Sequence, residues 1–198
     1  MSEFNLRPDL AVIAEHVVPD SRVLDVGCGD GALMAELEAK RRVDARGMEL
    51  NPAKVERCVA RGLSVVQGDA NTDLVDYPDK AFDYTILSQT LQTAARPDRM
   101  LDELLRVGRQ AFVSFPNFAH WRTRTALMFG GRMPVTRALP VSWYETDNIH
   151  HVTVEDFSDL ARSKGAKIEK CWFFASEQQI RAPAVNWRAE FAVFQLSR

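Results

Sequence analysis

The stretch Val23–Gly31, VLDVGCGDG, restricts the fold of this chain more than any other. A short apolar run holding one aspartate ends in three glycines at alternate positions. The helical pattern GALMAELEAK opens at the last of them. Gly27 fits the tight turn, and Gly29 and Gly31 let a ligand approach the main chain. The helix that follows offers free N–H groups at its start. In an open parallel sheet ligands bind beyond the carboxyl ends of the strands, and these glycines fall there.

The same alternation runs along most of the chain. RPDLAVIAEHV reads as a first helix with Pro8 at a first-turn position. VDARGMEL is a second strand, and NPAKVERCVARG a helix with Asn51 as cap, Pro52 at its first position and Gly62 as stop. LSVVQGD, FDYTILS and QAFVSFP are further strands, with the helix RPDRMLDELLRVG before the last of these. After an irregular stretch, TVEDFSDLARSKG is a helix that Thr153 caps with Asp156 three residues on. AKIEKCWFF and EFAVFQLS close the chain as two strands. Helices between strands imply right-handed crossovers and a mostly parallel sheet covered on both faces. The last two strands, with no full helix between them, are expected to form an antiparallel hairpin at one edge.

The 198 residues suffice for one domain with a substantial core, and no linker or repeat divides them. A net charge of −2 gives no general attraction to nucleic acid or to an anionic membrane. The N-terminus lacks a signal pattern, and no apolar run approaches the ~20 residues of a membrane span. Cys28, Cys58 and Cys171 are odd in number and widely spaced, neither a disulfide framework nor a metal pattern. The expectation is a cytoplasmic protein without a metal.

The glycine spacing and its neighbours select the ligand. A dinucleotide fingerprint reads G-x-G-x-x-G, with a pyrophosphate at the helix start. This chain has G-x-G-x-G, with Asp25 before it and Asp30 inside it. Carboxylates repel a pyrophosphate and suit a cationic ligand. The spacing therefore disfavours a nicotinamide oxidoreductase. Glu49 ends the second strand, where a carboxylate can accept from two ribose hydroxyls. Asp69 follows the third, where it can meet an adenine amino group.

VLDVGCGDG, Glu49, Asp69 and FDYTILSQTLQ together resemble the class I S-adenosylmethionine-dependent methyltransferases. The resemblance implies a Rossmann-like fold with a mostly parallel seven-stranded sheet, helices on both faces and an antiparallel edge hairpin. It further implies that Asp25, Gly27 and Gly29 line the methionine portion of S-adenosylmethionine or S-adenosylhomocysteine. Glu49 with Leu50 would hold the ribose, Asp69 with Ala70 the adenine, and Ser88 and Gln89 would lie beneath the sulfonium.

The second half is more specific. FPNFAHWRTR, GRMPVT, ALPVSWYETDNIHH and TVEDF, with SQTLQT, are similar to the methionine biosynthesis protein MetW family. This resemblance implies action in methionine biosynthesis with a homoserine O-acyltransferase. One departure is His151, where the family more often has an apolar residue.

Catalysis is less plainly written. Methyl transfer is an in-line displacement, so positioning supplies much of the rate, but oxygen and nitrogen acceptors usually need a base. Many related small-molecule methyltransferases carry a Glu-His pair after the fourth strand, and Gln92-Thr93 stands here instead. His150 and Tyr144 are the candidate bases that remain from the insert, with His120 and His151 read as packed or solvated and His16 as structural. Cys28 reads as a small residue of the turn.

The insert at about 117–151 is too long for a simple connection, and such segments are usually functional. From Leu104 to Tyr144 there are six arginines and no aspartate, glutamate or lysine. Arg122, Arg124, Arg132 and Arg137, with Trp121 and Trp143, have the composition of a protein-docking surface or an anion pocket. Two readings stay open. One is a cofactor-binding partner of the acyltransferase, docked through the insert. The other is a methyltransferase for a small acceptor, an anionic one on the strength of the arginines.

Overall fold

A computed structural model describes residues 6–136, 139–181 and 183–198. The order of elements is α1 (Pro8–His16), β1 (Arg22–Val26), α2 (Ala32–Arg41), β2 (Asp44–Glu49), α3 (Pro52–Ala60), β3 (Val65–Gln67) and the short α4 (Ala70–Asp73). Then come β4 (Phe82–Ser88), α5 (Pro97–Val107), β5 (Gly108–Pro116), α6 (Trp121–Gly130), α7 (Val154–Ser163), β6 (Lys167–Ala175), β7 (Gln178–Ile180), the short α8 (Val185–Arg188) and β8 (Phe191–Ser197).

The strands form one sheet in the order β3-β2-β1-β4-β5-β8-β6-β7. The first five are parallel, and β8 runs antiparallel to both β5 and β6. The sheet has eight strands rather than the expected seven. The added strand, β7, is three residues long and makes the true edge hairpin with β6. The two closing strands do pair, but β8 lies inside the sheet between β5 and β6 and not at its margin. Its burial from Ala192 to Leu196, apolar except for Gln195, suits an interior place.

Two apolar layers flank the sheet. On one face α5 and α7 bring Leu101, Leu104 and Phe157 against Leu24, Leu87, Phe115 and Phe194. On the other, α1 and α2 bring Ile13, Leu33, Met34 and Leu37 against Val23, Ile86 and Phe112. Burying each such side chain contributes about 1.5–3 kcal/mol. The caps form as the sequence proposes. The Asn51 side chain accepts from Ala53 N, and Thr153 Oγ1 accepts from Asp156 N. Gly62 closes α3 at φ +79°. No described helix is long and apolar enough to cross a membrane.

Among the described residues the insert holds one helix, α6, which buries only Thr123. Its far end is anchored. Ile149 N and His150 N both donate to Gln92 O, at 3.0 Å each, in the short turn Leu91–Thr93 after β4.

Candidate functional site

The parallel strands end on one side of the sheet, and the glycine turn lies there. Gly27, Gly29 and Gly31 all have positive φ, at +72°, +62° and +78°. The two outer glycines are held by packing. A Cβ on Gly27 would come within 2.9 Å of Thr90 Oγ1, and one on Gly31 would strike Leu63 Cδ1. A Cβ on Gly29 would meet nothing within 4 Å, because Gly29 faces open space. That space is a cavity of about 440 Å³ lined by Asp25, Gly27, Gly29, Ser88, Gln89 and, from the chain's start, Arg7.

Asp25 is the exceptional group. It is 3 % exposed at the end of an apolar strand, and no hydrogen bond to its carboxylate occurs among the described residues. Burial raises its pKa from 3.8 to about 7, Arg7 opposes that rise, and Glu49 adds to it. A buried carboxylate without a donor is costly, and a cationic ligand in the cavity relieves that cost. This anionic acceptor fits an ammonium or sulfonium group.

Glu49 sits behind the turn. Its two oxygens accept from Gly29 N at 2.8 Å and Asn51 N at 2.9 Å. It thus couples β2 to the glycine loop, and each oxygen retains a lone pair. Leu50 is exposed beyond it. Asp69 caps α4, accepting from Asn71 N at 2.9 Å, and Ala70 packs at the core's margin. Glu49, Leu50, Asp69 and Ala70 do not line the 440 Å³ cavity but stand at the ends of the two strands beside it.

At the other wall, Asp9 is 2 % exposed and accepts from Ser88 Oγ at 2.8 Å, Ser114 Oγ at 2.9 Å and Arg7 Nε at 3.2 Å. This network ties α1 to the ends of β4 and β5. Arg7 Nη2 also donates to Ser88 Oγ at 2.8 Å. Gln89 follows with φ +53°, rare for a residue with a side chain, and its N–H donates to Ser114 O. Arg7, Leu6, Thr90 and Lys54 also line the cavity. Sequence reasoning did not single them out. Only Pro8, which marks where α1 begins, hinted that Arg7 stands at a helix start.

The candidate bases fall elsewhere. Tyr144 is exposed and packs edge-on against exposed Trp143. His150 Nε2 is buried without a hydrogen-bond partner among the described residues, as is Gln92 Oε1. Gln92 Nε2 donates to Gln89 O and Thr93 Oγ1 to Thr90 O, so both side chains are engaged in the turn. Burial, with Asp25 beside it, pushes the Cys28 thiol above the ordinary range, which suits a packed residue rather than a nucleophile.

The insert arginines are partly engaged. Arg122 lies over the Trp121 ring at 5.3 Å, and Arg124 Nε donates to Ala119 O at 2.6 Å with its guanidinium over Trp187. Arg132 is exposed, and Arg137 lies outside the described residues. Around them the apolar side chains are the free ones. Met128, Phe129 and Trp143 are 79 %, 80 % and 73 % exposed.

Comparison with known proteins places this geometry. Residues 7–196 match the family described as methionine biosynthesis protein MetW. The bifunctional methionine biosynthesis protein MetXA/MetW of Rhodopirellula baltica is 33 % identical over 194 residues, which is 93 % of this chain and 31 % of that protein. The ajmaline N-methyltransferase of Rauvolfia serpentina is 29 % identical over 43 % of this chain and 31 % of its own length. The chain thus spans about a third of the length of these relatives. Among solved structures, a SAM-dependent methyltransferase from Archaeoglobus fulgidus superposes with a TM-score of 0.72 at 16 % identity, covering 96 % of this chain and 91 % of that one. An S-adenosylmethionine-dependent methyltransferase from Mesorhizobium loti does so at 0.70 and 18 %, covering 95 % and 96 %. With the glycine turn at the strand ends and the match running from end to end, the chain belongs to the methionine biosynthesis protein MetW family and has the class I methyltransferase fold.

Proposed function

We propose that this protein binds S-adenosylmethionine or S-adenosylhomocysteine at the glycine turn and works with a homoserine O-acyltransferase. Asp25 would take the ammonium group of the cofactor, and Gly27 and Gly29 would pass its methionine portion. Glu49 with Leu50 would receive the ribose, Asp69 with Ala70 the adenine, and Ser88 and Gln89 the region of the sulfonium. When bound, S-adenosylmethionine would supply an electrophilic methyl group, and the chain's own part is to position and desolvate it.

The observation that carries the partnership is the Rhodopirellula baltica relative, whose name joins MetXA to MetW in one protein. We take the insert as the docking surface, or as a lid over the cavity. Exposed apolar area beside arginines and tryptophans is the usual make-up of an interface centre. The exposed end of α6, at Met128 and Phe129, supports this as much as Arg122 and Arg124 do.

The test is a pull-down from cells that co-express a tagged homoserine O-acyltransferase, with and without added S-adenosylmethionine. The expected result is co-purification of the untagged wild-type chain, abolished by Met128→Asp with Phe129→Asp and by Arg122→Glu with Arg124→Glu. Failure to co-purify, with acyltransferase activity unchanged by this chain, would contradict the partnership.

A methyltransferase for a small acceptor is the second reading. It is favoured by a larger cavity that adjoins the first across Gln89. It requires S-adenosylhomocysteine to accumulate when the protein is given S-adenosylmethionine and a metabolite pool.

A further inference from the structure

The insert is closed at its base by Phe118 N, which donates to Val152 O at 3.0 Å. Among the described residues, the main-chain hydrogen bonds of 131–148 stay within the insert. The first main-chain tie of the returning chain to the rest of the fold is therefore the pair Ile149 N and His150 N, both on Gln92 O. The arm that leads to this tie carries Pro140, which lines the larger cavity of about 600 Å³, and the exposed Trp143.

The turn that bears the tie is also a wall of the glycine-turn cavity, through Ser88, Gln89 and Thr90. Thr90 packs directly on Gly27. Gln92 Nε2 donates to Gln89 O at 2.8 Å, which links the tie to that wall. Farther along, Ala95 N donates to Asn71 Oδ1 at 2.9 Å, and Asn71 Nδ2 donates to Asp69 Oδ1 at 2.8 Å. Residues 88–95 thus touch the glycine turn, the cap of α4 and the end of the insert.

This joint is incompletely bonded. Gln92 is 5 % exposed, and its Oε1 has no hydrogen-bond partner among the described residues. On the other side of the tie, His150 Nε2 is likewise buried and unbonded. Each orphaned atom keeps its desolvation cost. Gln89 adds the strain of a left-handed backbone on a residue with a side chain. An arrangement that bonds the two atoms and relaxes Gln89 would recover these costs. A ligand selects between two arrangements only if it touches them differently. Here that condition is met, because Gln89 and Thr90 belong both to the cavity wall and to the joint.

We infer that the turn after β4 is a two-position joint, through which an S-adenosyl ligand against Gln89 and Thr90 resets the arm of the insert that carries Pro140 and Trp143. The inference rests on the reading that the glycine-turn cavity takes such a ligand. It is independent of the acyltransferase partnership. Its consequence is that occupancy of one cavity alters the rim of the other and the face that Trp143 presents.

The test is amide hydrogen exchange by NMR on the full chain, without and with saturating S-adenosylhomocysteine, with binding measured by calorimetry on the same samples. The expected result is that the ligand slows exchange at Ile149 and His150 at least fivefold. Gln92→Leu and His150→Leu each remove one orphaned atom and with it the drive towards the second arrangement. Both variants should bind S-adenosylhomocysteine within threefold of wild type, and the slowing should fall below twofold in each. Either variant decides the matter if the other does not fold. Ligand that binds without slowing these two amides, or slowing that persists in a folded variant, would overturn the inference and leave the binding site standing. No binding of S-adenosylhomocysteine to the wild-type chain would overturn both.

Discussion

Asp25 concentrates the chemistry of the site in one carboxyl group. Its folded pKa, about 7, lies above the unfolded value of 3.8. The native chain therefore holds a proton that the unfolded chain has released between these pH values. Stability of the ligand-free protein falls as pH rises through that window, by an amount of order ~4 kcal/mol for this residue alone. A cationic ligand has the opposite dependence, because it favours the ionised carboxylate. Affinity for S-adenosylmethionine should thus rise from pH 6 to pH 8. Asp25→Asn is expected to flatten both trends and to weaken the cofactor at least tenfold. Urea unfolding and calorimetry at several pH values, read as wild type minus variant, check this. The neighbouring glycines separate shape from access. Gly31→Ala must fit a methyl group where Leu63 and Cys58 already pack and should cost roughly 2–4 kcal/mol of stability. Gly29→Ala meets no atom and should cost only about 1–2 kcal/mol for its left-handed backbone. Its methyl group nevertheless stands in the cavity, so cofactor affinity should fall more than tenfold. Equal losses of stability in the two variants would contradict this division.

At the scale of elements, what was legible in the sequence was what is locally encoded. Asn51-Pro52 and Thr153 start helices because their side chains or rings act within one turn. The glycine turn is legible because three positive φ values admit few other residues. The place of β8 was not legible. Nothing within Phe191–Ser197 states that it pairs with β5 and β6 together, since sheet order is decided by partners distant in the chain. The three residues of β7 are too few for an alternation to be read. Arg7 was missed for the same reason: it enters a cavity through tertiary placement, without a motif around it. The insert was read by its arginines, whereas folding engages Arg124 and leaves Met128 and Phe129 outward. Helix α6 buries one residue, and α5 buries five. Local opening follows buried contacts, so amides of α6 should exchange with solvent at least a hundredfold faster than those of α5. Hydrogen-exchange mass spectrometry measures this. Bound acyltransferase should slow α6 and leave α5 unchanged.

The whole molecule places two cavities side by side at the ends of its parallel strands, and Pro140 of the insert lines the larger of them. The loop after β4 joins these parts. Gln89 borders both cavities, and Gln92 O holds Ile149 and His150 at the insert's end. A protein that only used its fold as a scaffold for docking would have no use for a buried Asp25, unbonded among the described residues, beside a turn of three glycines. The direct test is isothermal titration of the purified chain with S-adenosylmethionine, S-adenosylhomocysteine and NAD in parallel. The account predicts saturable one-to-one binding of the first two, lost in Asp25→Asn, and no heat with NAD. Absence of binding by both S-adenosyl compounds, or binding that Asp25→Asn leaves intact, would contradict it.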